Sequence, residues 1–118
     1  MSREARAIIR WVPASRGGRQ APPQPAVGYT CPPRFESDPN EARGAWSLRI
    51  VAAVDLRGPE VIDARVRFVV DQAPDDLLRE GERFELMEGR QVVAKCVVLP
   101  ETLAAPAQIG EFELALLG

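Results

Sequence analysis

Adjacent carboxylates at Asp75-Asp76, thiols at Cys31 and Cys96, and hydroxyls at Ser15, Ser37 and Ser47 have the chemistry of acids, ligands or nucleophiles. A hydroxyl or thiol nucleophile needs a base beside it. Histidine, the commonest such base and the commonest zinc ligand, is absent from the chain. Asp75-Asp76 follows Pro74, so the pair reads as the solvated start of a single helical turn, where carboxylates offset the N-terminal partial charge. The serines fall near turns or strand starts with no identifiable base. Cys96 lies in an alternating apolar run and reads as a small core residue, whereas Cys31 lies in a proline-rich loop, where exposure would make it reactive. Two cysteines are fewer than a disulfide-framed domain of this size would carry, so both read as reduced thiols. There is no G-x-x-x-x-G-K-[ST] loop, and Lys95 is the only lysine, so a nucleotide phosphate cradle has no parts. The expectation is no enzyme, no cofactor, no metal and no nucleotide.

Charge narrows the partner class. The 118 residues carry a net charge of −2, with a pI near 5.2. The first 57 residues are net basic and the remainder net acidic. Arg3, Arg6, Arg10, Arg16 and Arg19 are opposed locally only by Glu4. This is either a modest anion-facing patch or a set of strand-edge charges answered by the acidic half, and the second reading carries more weight. Nucleic-acid affinity rests on summed phosphate neutralisation, and an acidic chain offers little of it, so RNA binding is expected to be weak. No apolar run reaches the length of a membrane span, and "MSREARAIIRWV" lacks the apolar region of a signal peptide. A cytoplasmic location and no membrane partner are expected.

These groups must be positioned by strands. Period two dominates the chain. Ala5, Ala7, Ile9 and Trp11 share one face of a first strand. Leu48, Ile50, Ala52 and Val54 share a face of a second. Ile62, Ala64, Val66, Phe68 and Val70 alternate with Asp63, Arg65, Arg67 and Asp71 in a third, with Val69 the exception. "RFELMEGRQVVAKCVVL" reads as a hairpin, with Phe84 and Leu86 facing Val92, Ala94, Cys96 and Val98 across a tight turn at Gly89. Residues 100–110 read as a linker, and "GEFELALL" as a last strand. The prediction is an all-β, six-stranded antiparallel β-barrel over residues 1–99, with a proline-rich loop at 13–33. Residues 100–118 would add a linker and an extra C-terminal strand packed on the barrel.

The loop and the hairpin carry a resemblance. Gly17-Gly18-Arg19, Pro22, Gly28-Tyr29 and Pro33-Arg34-Phe35 are followed by Gly81, Arg83-Phe84, Glu88-Gly89, Arg90 and Val92-Val93. In that order and at about these distances, the motifs resemble the C-terminal β-barrel of elongation factor Tu, its third domain. The resemblance covers residues 4–99. It departs from the family in longer spacings around Tyr29, in Gln20 where a histidine is usual, and in a shortened Glu-Gly-Arg turn. In that family the barrel helps bind the T-stem of aminoacyl-tRNA and contacts protein partners. The resemblance implies Arg19, Glu88 and Gly89 as RNA contacts, with Gln20, Tyr29 and Arg90 beside them as RNA or partner contacts. Trp11, Trp46 and Tyr29 are candidate anchors for a protein, the tryptophans more readily core. The leading expectation is a non-enzymatic, cytosolic protein-interaction module. The alternative is weak tRNA or RNA binding through the Gly-Gly-Arg loop.

Overall fold

The computed structural model describes residues 3–37 and 46–101. Seven strands form one antiparallel sheet: β1 (Glu4–Trp11), β2 (Thr30–Cys31), β3 (Pro33–Phe35), β4 (Leu48–Arg57), β5 (Val61–Phe68), β6 (Arg83–Glu88) and β7 (Gln91–Val98). Their order across the sheet is β2-β4-β5-β1-β7-β6-β3. Its two outermost strands, β2 and β3, are neighbours in sequence, separated only by Pro32. The sheet therefore curls until Thr30–Cys31 pairs with β4 at one end and Pro33–Phe35 pairs with β6 at the other. The result is a nearly closed barrel.

The expected count of six strands is corrected: the described residues form seven. Sequence periodicity passes over β2 and β3 because they are two and three residues long and lie among prolines. Pro32 has no N–H to give a ladder, so it divides the segment, while its carbonyl accepts from the Met87 N–H at 2.9 Å. The expected strand in "GEFELALL", and the linker before it, lie outside the described residues.

Alternation fills the interior as the sequence implies. Ala5, Ala7, Ile9 and Trp11 meet Ile62, Ala64, Val66 and Phe68 from β5 and Phe84, Leu86, Ala94, Cys96 and Val98 from the hairpin. Phe35 closes one end, 5.3 Å from Phe84 and 6.0 Å from Phe68 between ring centroids. Leu78, from the bend after the short 3-10 turn Asp75–Leu77, is fully buried in the same core.

Strand β4 departs from strict alternation. A register shift between Ile50 and Ala52 inserts an extra residue, and the side chains from Ala52 to Asp55, where a second shift follows, exchange faces. Ala53 packs against the core, and Val54, expected inside, is 66 % exposed. A further shift in the hairpin, between Leu86 and Met87, brings Val93 into the core beside Ala94. The outer face of the sheet also buries a patch: Ile8, Val61, Val97 and Leu99, with Leu56 against them.

Candidate functional site

One end of the barrel carries the loop after β1 and the turn of the β6–β7 hairpin. The loop begins with a 3-10 turn, Ala14–Arg16, which Gly17 ends at φ +88°. Gly18 follows, buried against the chain that enters the loop. A Cβ built there would lie 1.8 Å from the carbonyl oxygen of Val12, so no other residue fits without moving that strand end. The Gln91 side-chain amide donates to the carbonyls of Gly17 and Gly18, at 2.6 and 2.8 Å. Gly89 opens the two-residue hairpin turn at φ +62°.

Three of the six residues singled out from the sequence meet here. Arg19 Nη1 and the Tyr29 hydroxyl both donate to Oε2 of Glu88. The Arg19 guanidinium carbon also lies 5.3 Å from the Tyr29 ring centre, a cation–π contact, and Arg19 Nε donates to the Ala21 carbonyl at 3.1 Å. The Tyr29 ring stands edge-on to Trp11, with centroids 5.3 Å apart. Tyr29 is held from behind by β4, where the Ile50 N–H donates to the Tyr29 carbonyl at 3.0 Å. The cluster thus ties the loop and the start of β2 to the hairpin. Gln20 and Gly89 are exposed at its rim, while Arg90 points away from it, toward a second cleft.

The electrostatics of the cluster are those of a fixed clasp. The Tyr29 hydroxyl, and then Arg19, hold the Glu88 carboxyl below its usual range against a smaller penalty from burial. Burial, reinforced by the bond to Glu88, pushes the Tyr29 phenol well above its ordinary value. The bond to Glu88 raises Arg19 further.

Cys31 is not in an open loop. It is an interior residue of β2, and burial pushes its thiol up to about 11. Cys96 is fully buried and raised as well, chiefly by burial. Both are free thiols. Trp11 is core, and Trp46 is partly buried against the core. Among the described residues, no cluster of His, Cys, Asp or Glu has the makings of a metal site.

Sequence reasoning missed two features. Glu82 is a buried acid that accepts from the Ser37 N–H at 2.9 Å and lies 3.3 Å from Arg79, tying the end of β3 to the turn before β6. The other is a shallow groove beside the Glu88 clasp, lined by Arg19, Gln20, Pro22, Pro23, Glu88 and Gln91. The cluster of prolines was the available signal for a stiff wall, but nothing local shows that the wall faces the hairpin.

Comparison with protein-family models, with curated proteins and with solved structures finds no match to this chain. A small, compact, antiparallel β-barrel is what its own residues establish. Among the described residues, no helix is long and apolar enough to cross a membrane.

Proposed function

We propose that this chain is a non-catalytic protein-binding module, a relative of the third domain of elongation factor Tu. The observation that carries the reading is the groove between the proline-rich loop and the hairpin, whose walls are fixed before any partner arrives. Prolines limit the motion of one wall. The shared carboxylate of Glu88 and the Gln91 amide bind that wall to the other. A surface ordered in advance loses little conformational entropy on binding, which favours affinity from a modest area.

The protonation states at the site support a non-catalytic role. A general acid or a nucleophile at neutral pH needs a carboxyl raised, or a phenol or thiol lowered, toward that pH. Glu88, Tyr29 and Cys31 are all shifted the other way. The alternative, RNA binding through Arg19, requires that Arg19 give up Glu88 for a phosphate.

The test is affinity capture on the immobilised domain, followed by reconstitution with the purified protein it retains. Retention of a defined protein through moderate salt is expected. Gln20→Trp together with Gln24→Arg, both on the groove rim, should abolish it while circular dichroism stays unchanged. Capture of RNA alone, released by the same salt, would overturn the reading.

A further inference from the structure

Beyond the groove, one row of the barrel's outer face sets four charges side by side. Arg10 on β1 stands opposite Lys95 on β7, Lys95 opposite Glu85 on β6, and Glu85 opposite Arg34 on β3. Like charges directly opposed across a ladder repel each other, so the Arg10–Lys95 pair calls for an anion. Glu85 does not meet that need. Its carboxylate accepts from Arg34, including a bond from Nε at 3.0 Å.

A similar opposition of Arg6 and Arg65 on β1 and β5 is answered within the chain. Asp63 accepts from Arg6 at 3.0 and 2.6 Å, and Glu4 and Glu101 accept from Arg65 at 3.1 to 3.2 Å. No described acid hydrogen-bonds or ion-pairs with Arg10 or Lys95.

Two further cations, Arg16 from the 3-10 turn and Arg90 from the hairpin turn, join Arg10 and Lys95 around one cleft of about 500 Å³. Trp11, Val12, Pro13 and Val92 supply apolar wall. Gln91 and Glu85 also line the cleft; Glu85 is the single acid against four cations, and it is held by Arg34. The cations come from four separate pieces of chain, held in place by the ladder and by the Gln91 bonds to the loop.

We propose that this cleft binds an acidic peptide segment of the partner protein, with two or more carboxylates seated among Arg10, Arg16, Arg90 and Lys95. The proposal rests on the protein-binding reading above and names its charge chemistry. Convergence at one concave spot suits a short cluster of carboxylates. A nucleic-acid strand would need cations spaced along a track. The apolar walls accept the methylenes and neighbouring side chains of a peptide.

The experiment is fluorescence anisotropy of the full chain with a labelled peptide of alternating glutamate and leucine, and with an oligouridylate of equal charge, at low salt. The peptide is expected to bind. Lys95→Glu and Arg90→Glu should each weaken it about tenfold, the effect of losing one effective charge contact. Arg67→Glu, on β5 and outside the cleft, should change it little. Arg90→Glu lies at an exposed turn, where substitutions change stability little, and a thermal melt will show that it folds. Lys95→Glu exchanges an opposition to Arg10 for one to Glu85 and is melted beside it. Equal weakening by Arg67→Glu, failure of the peptide to bind, or tighter binding of oligouridylate at these same residues each overturns the proposal. If the captured partner binds the Lys95→Glu variant as well as the natural chain, the cleft is wrong and the groove reading stands. If no partner is captured but the peptide binds at the cleft, the groove reading fails and the cleft's anion preference stands.

Discussion

At the scale of single residues, Glu88 decides how the loop end behaves. Two donors hold its carboxyl below the ordinary 4.5, so its ionised form is favoured more in the fold than in the unfolded chain. The resulting stabilisation is fully present above that ordinary value. It fades as pH falls, because the unfolded chain takes up a proton first, and it is gone below the lower folded value. Glu88→Gln should lower unfolding free energy at neutral pH by about 1 kcal/mol, a figure already reduced for the partial exposure of the pair. Urea titrations across the acid range should show the gap between the two proteins closing below pH 4.5. An equal gap at every pH would mean that Glu88 acts through packing alone. Sequence motifs single out the residues of this clasp, but not their mutual contact. Arg19 and Glu88 are 69 residues apart, and only barrel closure brings them together.

At the scale of elements, β4 tests what alternation can and cannot reveal. Strand β5 follows a strict two-residue period because every pairing along β1 is in register, so Ile62 to Phe68 could be placed from the sequence. Strand β4 carries the same kind of pattern, but the extra residue before Ala52 breaks the register, and a bulge leaves no mark in a run of Val and Ala. Ile50 lies before the break and is buried, and Val54 lies after it and is exposed. Ile50→Ala should therefore cost about 2–5 kcal/mol. Val54→Lys should stay within roughly 0.5 kcal/mol of the natural chain. Chemical denaturation of the two variants measures both, and a large loss at Val54 would place the register shift elsewhere. Strands β2 and β3 escaped the sequence for a different reason. Prolines mark turns in general, and only the waiting edges of β4 and β6 turn these five residues into strand.

At the scale of the whole molecule, the two thiols report on how the barrel opens. Cys31 lies in the short segment that joins the ends of the sheet, and Cys96 lies in the middle of the interior on β7. Neither should react with a thiol reagent at pH 8 in the native protein, because both are buried and their thiols are raised. In low urea, Cys31 should become reactive before Cys96, since a two-residue pairing opens locally at lower cost than the central ladder. Mass spectrometry of labelled peptides distinguishes the sites. Simultaneous labelling would mean that the closing segment and the central strands unfold as one unit.

That closing segment also fixes an order of events during synthesis. Twelve residues separate Phe35 from Leu48, the first residue of β4, and Arg83, where β6 begins, is made much later still. On the ribosome, then, Cys31 and Phe35 emerge with no surface to cover them, and they stay uncovered until nearly the whole domain has been translated. The nascent chain meets its surroundings as an open ribbon with bare hydrophobic side chains, and only its last strands make it a container.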